Sequence, residues 1–434
     1  MTRYTARQVA LAALTANAVR PLQGRYSSVF GFFAGWLTTE LAPQLLALSA
    51  ADTATDLTVR KLRGNSGGRL GHVAALASVA GLGYLVANAR KTSNEVEGTL
   101  ERDLGRGWFD KIESGEDYPT DMPVATRDWV RPFALKDAEV EVIRDINYTK
   151  GGRRARLDIY RAKDVELDGA PVLIQIHGGA WTIGSKEQQG LILMNRMAKR
   201  GWICVSVNYR LAPKNPWPAM IDDVRTAIEW VQQHIGEYGG DASYLVTTGG
   251  SAGGHLSSLA ALTVPGIAGC VPFYGVYDMA GITEDKYAVG MRDFFLAPRV
   301  FKKKYDDDPD AFLDASPLTH VTQDAPDFFV LHGANDTLVN VNQARAFVKK
   351  LRDTSTQTVV YHELPGTQHA FEVFNSIRSH NTIRAVQKWL EWHHAEWRAR
   401  QSAGDSAGKS ENPLADDVAQ HLRGASGDGQ AARQ

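Results

Sequence analysis

Three residue types in a set order equip this chain for acyl-transfer chemistry. Ser251 stands in Gly249-Gly250-Ser251-Ala252-Gly253-Gly254, Asp336 in His332-Gly333-Ala334-Asn335-Asp336, and His369 in Pro365-Gly366-Thr367-Gln368-His369. A serine hydroxyl is a poor nucleophile until a base takes its proton as it attacks. Histidine does this near neutral pH and returns the proton to the leaving group. A carboxylate fixes the imidazole tautomer and stabilises the imidazolium. The tetrahedral intermediate carries an oxyanion, which needs converging backbone amides. The loop His177-Gly178-Gly179-Ala180-Trp181 can present them, and the amide of Ala252 follows the serine. Losing one such donor costs on the order of 3 kcal/mol in the barrier.

Each piece alone has a plain structural reading. A G-x-S-x-G pattern can arise by chance in a chain with 40 glycines. A loop aspartate is commonly a helix cap, and a loop histidine is commonly surface. Their joint occurrence in the order serine, acid, histidine favours catalysis. The remaining chemistry-bearing residues read as structural. Asp222 and Asp223 are adjacent on a helix, face different ways and have no histidine cluster beside them, so no metal is expected, and no cofactor. His255 lies on the helix behind Ser251 and reads as packing, and the pair His393-His394 as solvated surface. Phe273, Tyr274, Phe294, Phe295 and Trp181 either line an acyl or alcohol pocket or belong to the core.

The elements that must hold these residues follow from the patterning. Tyr244 to Thr248 is a buried strand that meets Gly249 and turns sharply into a helix, Leu256 to Leu262. Such a bend exposes the hydroxyl and tolerates little beyond Cα at its flanks. It also aims a helix N-terminus, which favours negative charge, at the nucleophile. Asp336 and His369 each follow a strand, Phe328 to Leu331 and Thr358 to Leu364, where sites gather in open α/β sheets. Further buried strands are predicted at Pro171 to Ile176, Trp202 to Val207 and Cys270 to Tyr274. Helices are predicted near Lys186 to Arg200, Trp217 to Ile235, Asn340 to Arg352 and Phe371 to Arg398. Strand alternating with helix means a mostly parallel central sheet with helices on both faces. Glu139 to Tyr148 and Arg156 to Tyr160 alternate polar and apolar and predict an antiparallel edge.

Composition bounds the function. Of 434 residues, 44% are hydrophobic and 22% charged, with a net charge of −1, which excludes a basic nucleic-acid binder and allows a large core. Cys204 and Cys270 sit in apolar strands and read as reduced core residues. The predicted division is an apolar helical N-terminal region with a connecting segment, 1–138; a catalytic domain, 139–398, with a cap insertion at 278–316; and a disordered tail, 399–434. In the N-terminal region no cleaved signal peptide stands out. Its apolar runs, 26–50 and 70–89, have two readings: membrane-inserted or interfacial helices, or helices packed on each other or on the catalytic domain. The first implies a membrane-associated or cell-envelope protein, the second allows a cytoplasmic one. Residues 92–138 turn polar and read as the connecting segment.

Taken together, residues 139–398 resemble the hormone-sensitive-lipase-like branch of the α/β-hydrolases, the bacterial family IV esterases. His177 to Trp181 resembles the family's HGGG-type oxyanion motif. Tyr209-Arg210-Leu211-Ala212-Pro213, continued through Pro218-Ala219-Met220-Ile221-Asp222-Asp223, resembles its Y-R-L-A-P and P-A-x-x-D-D pair, and Gly249 to Gly254 its G-D-S-A-G-G elbow. The resemblance implies an α/β-hydrolase fold and a carboxylesterase or lipase-type serine hydrolase acting on small-molecule esters. It implies Ser251, Asp336 and His369 as the triad, and Gly178, Gly179 and Ala252 as the oxyanion hole. An amidase or arylformamidase-like enzyme of the same fold is the alternative; a non-catalytic membrane-tethered binding module is a further one. The chain departs from the family at Ala180, in place of a third glycine, and at Gly250, in place of the acid before the nucleophile. Lys214-Asn215 stands where Glu-His is usual. The long N-terminal region is similar to that of longer actinobacterial and mycobacterial members.

Overall fold

The β-branched and apolar runs of the second half align in one eight-stranded sheet. The computed structural model describes residues 2–22, 24, 28–63, 69–112 and 126–410. The strands are β1 (Val140–Asn147), β2 (Arg156–Ala162), β3 (Ala170–Ile176), β4 (Ile203–Val207), β5 (Gly240–Gly250), β6 (Ile267–Phe273), β7 (Asp327–Gly333) and β8 (Val359–Leu364). Their order is β1-β2-β4-β3-β5-β6-β7-β8. β1 and β2 are antiparallel neighbours, β2 is antiparallel to β4, and β3 to β8 run parallel, as the alternation predicts. The parallel strands are buried on both faces, which is why Val172 to Ile176 and Phe328 to Leu331 read as unbroken apolar runs.

Four helices precede the sheet: α1 (Arg3–Val19), α2 (Ser28–Glu40), α3 (Ala42–Arg63) and α4 (Arg69–Leu104). After the short α5 (Thr126–Val130) come α6 (Leu191–Lys199), α7 (Ala219–His234), α8 (Ala252–Thr263), α9 (Lys286–Met291), α10 (Pro309–Asp314), α11 (Asn342–Thr354) and α12 (Ile377–Ser410). On α7, Met220, Ile221, Val224, Ala227, Ile228 and Val231 are buried at helical spacing against one face of the sheet. On α11, Ala344, Phe347, Val348 and Leu351 do the same.

The opposite face holds a second core, and the N-terminal region contributes to it. Val96 and Leu100 of α4 are fully buried among Leu173, Val246, Val271, Phe329 and Leu331, with α6 and α12 beside them. Burying one such side chain is worth about 1.5–3 kcal/mol. The polar composition after residue 91 predicts a connecting segment; instead α4 continues unbroken to Leu104. Some of its polar residues bond to the catalytic half, as Thr99 Oγ1 does with His362 Nδ1 of β8 at 2.9 Å. Pro119 and Pro123 of that segment lie outside the described residues.

The N-terminal helices are latched to the catalytic half by polar pairs that their apolar runs do not advertise. Arg378 Nε lies 3.2 Å from Glu40 Oε1 with both side chains buried, and Ser376 Oγ donates to Glu40 Oε2 at 2.6 Å. Asn88 Nδ2 donates to Pro365 O at 2.8 Å, and Asn381 Nδ2 to Ala89 O at 3.1 Å. Packing on the catalytic domain, one of the two readings of these runs, is thus observed. Many apolar side chains of α2 and α4 stay exposed all the same, among them Phe30, Phe33, Leu70, Val73 and Leu76.

Other expectations need correcting. His393 is buried, with Nδ1 2.7 Å from Tyr244 Oη and Nε2 3.0 Å from Asp327 Oδ2, while half-buried His394 packs on Tyr244. The pair is part of how α12 docks on the sheet, not solvated surface. α12 also runs past 398 to Ser410, into the segment predicted as tail; residues 411–434 lie outside the described residues. Cys204 and Cys270 are free and buried, as predicted. The insertion at 278–316 is more ordered than its composition suggests: between α9 and α10 it forms a π-helical segment, Arg292–Phe301, and Phe301 stacks on Phe312 at 3.8 Å.

Candidate active site

The elbow is built by close approach of backbone to backbone. A Cβ on Gly253 would stand 2.0 Å from Ile176 O, and one on Gly249 2.4 Å from the same oxygen. No side chain fits at either place, so the glycine spacing around Ser251 is a steric requirement of running α8 over β3. Ser251 itself takes φ 60° and ψ −120°, a conformation that costs about 1–3 kcal/mol and persists only where the surroundings impose it. Its amide donates to Phe273 O at 3.0 Å, and its carbonyl accepts from His255 N at 2.9 Å. The side chain sits half-buried at the N-terminus of α8.

The acid and the base meet at the ends of β7 and β8. His369 Nδ1 lies 2.6 Å from Asp336 Oδ2, and both residues are buried. The other oxygen, Oδ1, accepts from the amides of Leu338 at 2.9 Å and Val339 at 2.8 Å, which fixes the carboxylate plane. Burial pushes the Asp336 carboxyl up, but His369 and His332 more than offset it and hold it below the ordinary carboxylate range. It stays ionised and accepts the Nδ1–H, leaving Nε2 as the lone-pair nitrogen. Two supporting residues escaped the reading of the sequence. His332 Nε2 donates to Val339 O at 2.9 Å and lies 3.4 Å from Asp336 Oδ2. Gln368 Oε1 accepts from His369 N at 3.0 Å and Thr337 N at 2.8 Å, tying the two loops together. Neighbourhood to Asp336 and His369 was the only signal either residue carried.

Tyr274 joins the base loop to the elbow. Its ring centroid is 4.3 Å from that of His369, and its hydroxyl lies 2.6 Å from where a Cβ on Gly250 would be.

The Gly-rich loop follows β3, as predicted, but its amides are not equivalent. Gly178 N donates to Gln189 Oε1 at 2.6 Å, so this amide, expected in the oxyanion hole, is already engaged. Among the described residues the amides of Gly179, Ala180 and Ala252 donate to no protein acceptor. Gly179, Ala180 and Trp181 all have positive φ, 113°, 51° and 58°, so the loop is coiled tightly beneath the elbow. His177 is structural: burial pushes its imidazole down to about 4, and it stacks on Tyr209 at 4.2 Å. Asp223 pairs with the Arg210 guanidinium at 2.7 Å and accepts from Arg210 N at 2.8 Å, the structural role expected of it.

The N-terminal helices cover the acid and base loops. The Phe32 ring meets His369 edge-on at 5.8 Å, and Trp36 Nε1 donates to Ala370 O at 2.7 Å. Thr337 Oγ1 donates to Ser28 O at 3.0 Å. Of the aromatics with two readings, Phe273, Tyr274 and Trp181 are buried, Phe295 is partly buried against the core, and Phe294 is exposed.

Known proteins are similar to this chain in sequence. A family model described as BD-FAE matches residues 157–351. The probable carboxylic ester hydrolase LipM of Mycobacterium tuberculosis is 42% identical over 92% of this chain and 94% of its own length, so the likeness takes in the N-terminal helices. Esterase LipQ of the same organism is 45% identical over 57% of this chain and 61% of its own. A solved esterase from Thermogutta terrifontis is 21% identical, covering 58% of this chain and 93% of that one with a TM-score of 0.49. The sheet order, the strained elbow serine and full-length likeness to a carboxylic ester hydrolase make this chain a member of the hormone-sensitive-lipase-like esterases of the α/β-hydrolase superfamily.

Proposed function

We propose that Ser251, His369 and Asp336 are the nucleophile, base and acid of a carboxylic-ester hydrolase that works through an acyl-enzyme. The observation that carries this is the 2.6 Å contact of His369 Nδ1 with a buried, doubly capped Asp336, in a chain whose strained elbow carries Ser251. Ser251 Oγ attacks the ester carbonyl while His369 Nε2 takes its proton. Collapse of the tetrahedral intermediate breaks the acyl C–O bond, and the imidazolium returns the proton to the leaving alcohol. Water then attacks the acyl-enzyme with the same base, and the acid product leaves. The oxyanion is held by Ala252 N with Gly179 N and Ala180 N, the amides without another acceptor, at the N-terminus of α8. Ser251→Ala should abolish turnover of a short-chain aryl ester and labelling by a fluorophosphonate; turnover or labelling that survives removes Ser251 from this role. Matched ester and amide substrates test the amidase alternative.

We also infer that the protein rests on a lipid surface through α2 and the first half of α4, a membrane-associated or cell-envelope placement. Exposed Phe30, Phe33, Leu70 and Leu76 support it, as does the length and composition of α4, whose most apolar 18-residue window has a mean hydropathy of 1.7. Because α2 also touches His369, that surface adjoins the site, which suits a lipase-like ester substrate.

A further inference from the structure

We propose that Tyr274 and Glu372 form a buried positioning pair that sets the face of the His369 imidazole against the elbow. The proposal rests on the reading of Ser251 and His369 as nucleophile and base. Glu372 lies three residues beyond His369 and is buried, and the Tyr274 hydroxyl donates to its carboxylate. A buried carboxylate is costly unless paired. Here the partner is a phenol: the guanidinium of Arg378, from α12, is paired with Glu40 of α2.

The pair is built into strained backbone on both sides. Tyr274 takes φ 39° and its amide donates to Leu331 O at 2.7 Å, so the residue is anchored to the end of β7. Ala370, between His369 and Glu372, takes φ 60°. The Tyr274 ring then lies 4.3 Å from His369 and 5.3 Å from Phe371, filling the space where any side chain at position 250 would go. Gly250 is therefore required by the tyrosine. Hydroxyl to carboxylate closes a ring of contacts that runs from the elbow through Tyr274 and Glu372 back to His369.

Burial and, more weakly, the charge of Glu40 push the Glu372 carboxyl up to about 7, against the pull of the Tyr274 hydrogen bond. Asp336 from the β7 loop acts on Tyr274 in the same sense. Among the described residues, Glu40 with its partner Arg378, and Asp336 with its partner His369, are the charged and titratable groups that act on the pair.

The test compares Tyr274→Phe, Glu372→Gln and the double variant on p-nitrophenyl butyrate, in full-length protein with melting temperatures recorded. Losing this buried hydrogen bond in Tyr274→Phe, or exchanging its charged acceptor for a neutral amide oxygen in Glu372→Gln, should lower kcat, by about tenfold in the first case and severalfold in the second, with KM within about twofold. The double variant should fall no further than Tyr274→Phe alone, because without the phenol donor the group at 372 has no bond left to lose. Glu372→Gln should also remove one titration from the acid limb of the kcat/KM profile, which a merely structural residue would not. Unchanged kcat, multiplying losses in the double variant, or an unaltered acid limb would each overturn the proposal. Where Glu372→Gln fails to fold, Gly250→Ala decides. Its Cβ displaces the Tyr274 ring, and full activity there would sink the idea. Fluorophosphonate labelling of Ser251 should persist, slowed, in every variant. Activity surviving in Ser251→Ala would instead overturn the nucleophile reading and leave a distinguishable result.

Discussion

Trp181 Nε1 donates to His255 Nδ1 at 3.1 Å, and His255 Nε2 donates in turn to Ala315 O at 2.6 Å. This chain of bonds links the Gly-rich loop, the elbow helix and the end of the insertion, just past α10. His255 is thereby held as one neutral tautomer with both nitrogens satisfied. Trp181→Phe leaves Nδ1 without its donor in a fully buried place, so unfolding free energy should fall by about 1–3 kcal/mol. Urea titration of the two proteins checks it. An unchanged midpoint would show that the bond contributes nothing.

Stability should drop as the pH falls from about 7 to 5. Burial pushes His177, His255, His362 and His380 each down to about 4, below the ordinary histidine value. The unfolded chain therefore binds more protons than the folded one between about 4 and 6.5, and folding weakens with acid. Each such histidine contributes a slope on the order of 1 kcal/mol per pH unit in that window. Glu372, pushed up to about 7, works with the opposite sign and offsets about one histidine. Asp336, held low, keeps its contribution until the pH falls below the ordinary carboxylate range. Urea midpoints at pH 7, 6 and 5 measure the sum, and a flat series would contradict it.

Gln189→Leu should damage catalysis more than binding. It strips the Gly178 amide of its acceptor, and the loop bearing Gly179 and Ala180 loses its anchor. A roughly tenfold fall in kcat with little change in KM is expected, short of the loss of a whole oxyanion donor. Steady-state kinetics on a short-chain aryl ester reads both parameters, and a pure KM effect would assign Gln189 to substrate binding.

Phe32→Ala should change activity from outside the sheet. The ring packs edge-on to His369, and Trp36 is bonded to the next residue's carbonyl. Removing the ring opens space beside the base. Activity should fall severalfold and the preference across an acyl-chain series should shift. An unaltered series would separate α2 from substrate selection.

Phe30→Asp with Phe33→Asp should weaken flotation with phospholipid vesicles while leaving hydrolysis of a soluble ester near its starting rate. Both side chains are exposed. A protein that never floats with vesicles would remove the lipid-surface reading.

The catalytic half was largely legible in the chain. Ser251, Asp336 and His369 each follow an apolar strand, and the steric demand for glycine at 249 and 253 leaves its mark in the residue types themselves. Runs such as Phe328 to Leu331 announce a doubly covered parallel strand because nothing polar survives there. What escaped was whatever depends on contacts distant in sequence. His393 looks like surface next to His394 until α12 turns it onto Tyr244 and Asp327, and Gly178 looks like an oxyanion donor until Gln189 takes its amide. The polar stretch after residue 91 looks like a linker because the burial of Val96 and Leu100, which stabilises this part of the helix, is invisible until a sheet face is there to receive them.

By itself, then, the sequence determined the order of the chemistry, the sheet that carries it and the backbone bend at Ser251, since these follow from residue type, local spacing and period. The tertiary structure alone decided which amides remain free beside the elbow, that Tyr274 and Glu372 close around His369, and that α2 lies over the base loop. Those are relations between groups up to hundreds of residues apart, and only packing determines which partners meet.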